Sequence, residues 1–134
     1  MKIHLIIFAF ILLASQAMAF DKKDLDNIIF LGDCAGCDLS GADLSGMDLS
    51  GADLFGSNLK GGNLSNTILT KTNFTKADLS GAILDGAYFH YTRFFQTNLR
   101  GVSFKKVGKC RGCGDGLWDP NFKESDFRET DFSG

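Results

Sequence analysis

The run CDLSGADLSGMDLSGADLFG, residues 37–56, returns to a central leucine every five residues. Neither the 3.6-residue turn of an α-helix nor the two-residue alternation of a strand produces that spacing, so it marks a repeat architecture. Beyond Leu39, Leu44, Leu49 and Leu54 the frame continues through Leu59, Leu64, Leu69, Phe74, Leu79, Leu84, Phe89, Phe94, Leu99 and Phe104. Extended backwards it reaches Cys34 and Ile29. Two positions before each centre stands a small or compact residue, as at Cys37, Ala42, Met47, Ala52, Thr72, Ala77 and Ala87. Those two columns are expected inside. The Asp or Asn between them, as at Asp38, Asn58, Asp78 and Asn98, belongs in water or hydrogen-bonded to a turn.

These units resemble the A-(D/N)-L-x-x consensus of the pentapeptide-repeat family, over fourteen consecutive units between residues 37 and 104. The resemblance implies an all-β fold: a right-handed quadrilateral β-helix with twenty residues per coil and about four to five coils in this chain. Glycine follows two after the centre at positions 41, 46, 51, 56, 61, 81, 86 and 101, where a type II turn requires positive φ. The corners without it, at Asn66, Lys71, Lys76, Tyr91, Gln96 and Lys106, are expected to use type I or irregular turns.

At 134 residues the chain has room for one domain, and stacked repeats explain how so slender a rod buries enough apolar surface. Residues 1–19 have the layout of a secretory signal peptide: a lysine, an apolar run from Leu5 to Ala14, then a stretch ending Ala17-Met18-Ala19. The mature chain is therefore expected to be exported, periplasmic or secreted from a bacterium, with no stable membrane insertion after cleavage. Residues 20–33 are expected to form a capping helix and lead-in, with Asp21 as its cap and Leu25, Ile28 and Ile29 on one face. Such a cap shields the open strand edge of the first coil. The β-helix itself is assigned to 34–104. The frame then breaks at an insertion, 105–119, and resumes in a new phase at Phe122, Phe127 and Phe132 in a final partial coil, 120–134. Its uncapped edge suits association of two copies as a homodimer through the C-terminal coil. Light scattering that finds only monomer at high concentration removes that expectation.

Four cysteines stand as Cys34-Ala35-Gly36-Cys37 and Cys110-Arg111-Gly112-Cys113, and an even count in an exported chain points to disulfides. The two pairs lie almost four coils apart, roughly 18 Å at ~4.8 Å per coil, whereas bonded cysteines have Cα atoms within about 7 Å. Bridges Cys34–Cys37 and Cys110–Cys113 are expected. The same separation denies one chain a four-cysteine zinc site. Thioredoxin-like chemistry wants its first cysteine at an activated helix N-terminus, whereas Cys34 falls in the interior frame. A thiol-redox or metal-binding role for the two pairs is the alternative reading, and no metal or other cofactor is expected.

The mature chain has one histidine, His90, and neither a nucleophile motif nor a phosphate loop accompanies it, so no enzyme activity is expected. Charge falls in three bands, net −6 over residues 20–57, +7 over 58–111 and −4 over 112–134. Some relatives resemble duplex DNA and protect DNA gyrase from quinolones, a role that needs a cytoplasmic location and a long acidic face. The leader and the basic middle band count against it, and no nucleic-acid partner is expected.

With twenty residues per coil, Ile68 and Tyr88 share an outward column, and Phe55 and Phe95 share another, two coils apart. Apolar or aromatic residues here replace the usual Asp or Asn, as does Ile83 on a third face. Tyr88, His90, Tyr91, Arg93 and Phe95 are the candidate protein-binding patch, because exposed aromatic clusters on soluble proteins mark interfaces. The expected function is a non-enzymatic, rigid binding or structural scaffold with a protein partner.

Overall fold

Residues twenty apart are joined as parallel β-bridges in a computed structural model that describes residues 21–106 together with Glu124, Asp126, Arg128 and Glu129. Four bridge columns run along the axis. The first face carries Asp38, Asn58, Asp78 and Asn98; the second Asp43, Asn63, Ile83 and Ser103; the third Asp48, Ile68 and Tyr88; the fourth Asp33, Asp53, Asn73 and Arg93. Backbone bonds follow one rule throughout. The N–H of each central residue donates to the next coil, as Leu39 does to the Asn58 carbonyl at 2.8 Å, and the outward residue's N–H reaches back, as Asn58 does to Cys37 at 2.8 Å. Within a coil most corners close on themselves, as when the Ala42 N–H donates to the Leu39 carbonyl at 3.0 Å; the His90–Tyr91 corner is a bend without that bond.

The interior follows from the frame. Every central Leu and Phe from Leu39 to Phe104 is buried, with Cys34 beside them. Phe74 stacks on Phe94 with ring centroids 5.2 Å apart, and Phe89 meets Phe94 edge-on at 5.7 Å and Phe104 at 5.8 Å. Threonines take four places of the small column, and their buried hydroxyls donate to carbonyls of the preceding coil, as Thr72 does to Leu49 at 2.8 Å and Thr97 to Phe74 at 2.7 Å. No buried side-chain polar atom among the described residues lacks a partner, as a dry interior requires.

Outside, Asn and Asp pair along the axis. The amide of Asn58 donates to Asp38 at 3.0 Å, Asn63 to Asp43 at 3.1 Å, Asn73 to Asp53 at 2.9 Å and Asn98 to Asp78 at 3.0 Å. A second carboxylate at one coil's spacing would repel, whereas an amide there donates; Asp33 beside Asp53 is the one carboxylate-on-carboxylate bridge among the described residues. The same carboxylates also accept from backbone two residues on, as Asp43 does from the Ser45 N–H at 3.1 Å, an Asx-turn that aims the chain into the corner.

The corners correct one expectation. Asn66, Lys71, Lys76, Tyr91, Gln96 and Lys106 all hold φ between 52 and 61°, the same left-handed backbone as the glycine corners, and not type I or irregular turns. The reason is the ladder. The corner N–H must donate to the next coil, as Lys71 does to His90 at 2.7 Å and Asn66 to Asp85 at 2.8 Å, and a turn with negative φ there would aim that N–H elsewhere. Left-handed backbone costs a side-chain-bearing residue about 1–2 kcal/mol, partly offset by the entropy that a glycine loses on folding. Lys71→Gly is therefore expected to stabilise the chain by about 0.5–1 kcal/mol, read as a higher midpoint in thermal melts.

The N-terminal helix, α1, spans Lys22–Leu31, with Asp21 as N-cap accepting from the Lys23 N–H at 2.8 Å, and Gly32 ending it at φ 67°. It sits on the first coil through Ile28, 2% exposed, and through Leu25. Two polar contacts fasten it: the Asp38 N–H donates to Asp24 Oδ2 at 2.8 Å, and the Asp21 N–H donates to the Asp38 carbonyl at 3.0 Å. Ile29 does not join Ile28 in the interior and is 45% exposed. One residue on in a helix is a rotation of about 100°, so the five-residue frame cannot be carried back across Gly32.

At the other end Asn98 pairs with Asp126, twenty-eight residues on instead of twenty. The extra eight residues lie between Lys106 and Glu124, outside the described residues. The Leu99 and Gly101 N–H groups donate to the carbonyls of Asp126 and Arg128, both at 2.9 Å. Hydrogen bonds from the Arg128 guanidinium bring the Asp126 carboxyl down to about 2. Residues 1–20, Cys110, Cys113, Phe122, Phe127 and Phe132 lie outside the described residues. No helix among the described residues is long and apolar enough to cross a membrane.

Candidate functional site

On the third face the axial ladder of Asp and Asn stops after one member. Asp48 bonds to the Ser50 N–H and hydroxyl, which hold its carboxyl below the usual range. The next two positions in that column are Ile68, 39% exposed, and Tyr88, half-buried. Neither offers an amide or a carboxylate to the axis. The coil of Tyr88 carries His90 and then Tyr91, which stands on the corner at φ 54° and is 48% exposed. The left-handed corner throws the Tyr91 ring outward, where it lies 4.2 Å from the His90 ring, tilted against it.

Around that corner the fourth face presents Arg93, exposed, at the position that Asp33, Asp53 and Asn73 hold in earlier coils. Phe95, half-buried, follows it, and Phe55 lies two coils away in the same column with the Lys76 ammonium 5.7 Å from its ring centroid. The structure thus places Tyr88, His90 and Tyr91 on one face and its corner, with Arg93 and Phe95 on the adjoining face of the same coil. Ile83, 42% exposed, belongs to the second face and stands apart from this group.

Tyr88 also borders an open groove of about 470 Å³, lined by Ser65, Asn66, Asp85, Gly86, Lys105 and Lys106. The groove exists because Gly86 leaves its corner bare between two corners that bear side chains, Asn66 and Lys106. Asn66 leans into that gap: a Cβ on Gly86 would meet its Oδ1 at 2.5 Å. Sequence spacing contains this notch, as a lone glycine between Asn66 and Lys106 twenty residues to either side, but it becomes visible only once the corners are known to share one backbone conformation.

A second cluster sits beneath α1. The Cys34 and Cys37 sulfurs are bonded, with Cα atoms 5.3 Å apart. The bridge spans a turn closed by the Cys37 N–H donating to the Cys34 carbonyl at 3.1 Å, with Gly36 at φ 73°. Both cysteines are buried. The Cys34 sulfur lies 3.1 Å from the Asp24 backbone carbonyl, a contact that becomes an S–H···O hydrogen bond only in the reduced state. The Asp24 side chain approaches too, so that a carboxylate oxygen and both sulfurs fall within 4.8 Å of one another. Asp24 escapes sequence reading because nothing in the helix marks it as facing the turn.

A family model described as pentapeptide repeats matches residues 33–70 and 69–101, with eight copies. No curated protein matches the chain. Among solved structures, the chain is similar to HetL, a pentapeptide repeat protein involved in heterocyst differentiation regulation from the cyanobacterium Nostoc sp. strain PCC 7120. Identity is 20% and the TM-score 0.54, over 74% of this chain and 46% of that one. It is also similar to trypsin-treated QnrB1, a plasmid-mediated fluoroquinolone resistance protein, at 23% identity and a TM-score of 0.52, over 71% of this chain and 43% of that one. The chain therefore spans less than half the length of each. Likeness at this level speaks for the fold, and these neighbours imply a right-handed quadrilateral β-helix. With four bridge columns at twenty-residue spacing and eight matched copies, the chain belongs to the pentapeptide repeat family.

Proposed function

We propose that this chain is a non-enzymatic, exported scaffold whose third and fourth faces bind a protein partner. The observation that carries the proposal is the loss of the polar ladder on the third face, where Ile68 and Tyr88 stand in the places of Asp and Asn and Tyr91 follows on the corner, with Arg93 ending the ladder of the fourth face. Ile68 and Tyr88 each give up an axial hydrogen bond of the kind seen at Asn58 and Asn73, and with Tyr91 they leave apolar and aromatic surface in water. Tyrosine flanked by arginine is the composition that dominates binding energy at protein interfaces. The leader-like residues 1–19 support export. Duplex mimicry fits poorly, because neutral Asn alternates with Asp and Lys60, Lys71, Lys76, Arg93 and Arg100 stand among them.

A chain carrying Tyr88→Ser, Tyr91→Ser and Phe95→Ser tests the reading by crosslinking in an extract of the native host. At interface hot spots each truncation costs about 2 kcal/mol or more, so the variant is expected to lose its partner while its melting transition holds. An unchanged set of crosslinked proteins removes the patch as the binding surface.

A further inference from the structure

We propose that, when its disulfide is reduced, the Cys34/Cys37 pair joins the Asp24 carboxylate in a zinc(II) site at the N-terminal end of the prism. This is independent of the aromatic patch. It also needs only one cysteine pair, with the third donor supplied by the cap helix.

The donors are already gathered. Their atoms lie within 4.8 Å of one another, and they come from two elements held in fixed relation. Zinc takes thiolate sulfur at about 2.3 Å and carboxylate oxygen at about 2.0–2.2 Å in a tetrahedron, which sets the sulfurs ~3.8 Å apart and sulfur and oxygen ~3.5 Å apart. With the cysteine Cα atoms 5.3 Å apart, side-chain rotation alone opens the sulfurs to that separation.

The backbone under the pair is not free to drift, because the Gly36 N–H donates to the Phe55 carbonyl at 2.8 Å and the Cys37 N–H to Cys34. The carboxylate is oriented as well. Asp24 Oδ2 accepts from the Asp38 N–H at 2.8 Å, the kind of outer contact that fixes a metal ligand, and its second oxygen remains as a donor. Cys34 is 2% and Cys37 8% exposed, and Asp24 is half-buried, so the ion would sit dry on one side and open on the side of the carboxylate. That side leaves a fourth position for water. Two soft thiolates select zinc over calcium or magnesium, and two thiolates with one carboxylate offset its double positive charge.

The chemistry balances. An external dithiol gives two electrons and two protons to the Cys34–Cys37 bond, which breaks into two thiols while the dithiol closes to its own disulfide. Zinc then displaces both thiol protons to solvent, and the carboxylate enters already ionised. Disulfide and zinc exclude one another, so this end of the protein reports redox state as metal occupancy.

The full chain with Cys110→Ser and Cys113→Ser isolates the pair. Reduced with a dithiol and freed of it, this protein is expected to take up one cobalt(II) per chain, with a thiolate-to-cobalt absorption band that zinc abolishes on displacement. The oxidised protein is expected to take up none. Asp24→Asn keeps an oxygen to accept the Asp38 N–H but loses the anionic donor, and is expected to weaken zinc binding at least about tenfold. X-ray absorption of the zinc-loaded chain is expected to read two sulfurs with lighter neighbours. No cobalt uptake on reduction, unchanged affinity in Asp24→Asn, or a four-sulfur shell shared between chains each overturns the proposal.

Discussion

Phe94→Ala is expected to lower stability by about 3–5 kcal/mol, the range for emptying the place of a buried aromatic ring. Phe94 is 0% exposed and touches two other rings, stacked on Phe74 at 5.2 Å and meeting Phe89 edge-on at 5.7 Å. The walls of the prism close poorly over the cavity, because they are tied to the preceding coil at fixed spacing. Thr97 anchors to the Phe74 carbonyl at 2.7 Å and Arg93 N–H to the Thr72 carbonyl at 2.9 Å. The relaxation that softens such substitutions elsewhere is therefore small, and the cost should fall at the upper end. Chemical denaturation followed by circular dichroism measures it. A loss below about 1 kcal/mol would show that the rings are packed loosely, contrary to their burial.

Deleting Ser65 alone is expected to abolish the fold beyond it. The corner it occupies joins Leu64 to Thr67, whose N–H donates back to the Leu64 carbonyl at 3.3 Å across two residues. With one residue removed the corner must borrow from the next unit, and every later column moves by one place. Asn73 and Asp78 then take the interior positions of Thr72 and Ala77, while Phe74 and Leu79 turn to solvent. Each buried amide without partners costs about 1–3 kcal/mol and a carboxylate more. A few such units exhaust a domain's entire stability of about 5–15 kcal/mol. Removal of residues 62–81, a whole coil, keeps every column in phase and is expected to leave a shorter folded rod. Proteolysis and dispersion of amide NMR signals distinguish the two. A protease-resistant, well-dispersed Ser65 deletion would mean that corners can be one residue shorter than those described.

The interior was legible because its chemistry repeats where its geometry does: Leu39 through Phe104 needed no partner to be named as core. The corners were not. Lys71 and Lys76 look like poor candidates for left-handed backbone by residue preference, and the demand of the ladder for their N–H groups explains them. The pairing of Asn58 with Asp38, or Asn73 with Asp53, is present in the residue order but takes meaning only at a separation of twenty. Asp24 could not be found at all from pattern, since its role rests on where α1 lands on the first coil. Likewise the phase slip after Phe104 is plain in the text, yet its size of eight residues comes from the bridge between Asn98 and Asp126.

The corners carry one more consequence. From Gly36 to Gly61 each described corner is bare glycine, whereas farther on Asn66, Lys71, Lys76, Tyr91, Gln96, Lys106, Glu124 and Glu129 give corners side chains, with only Gly81, Gly86 and Gly101 bare among those described. Every bridge is parallel, so the rod has a backbone direction already. Its edges, smooth at the start and partly toothed farther on, write that direction into the surface. An elongated partner laid along the axis can tell the two orientations apart, and reversing it would set its contacts for projecting side chains against bare backbone.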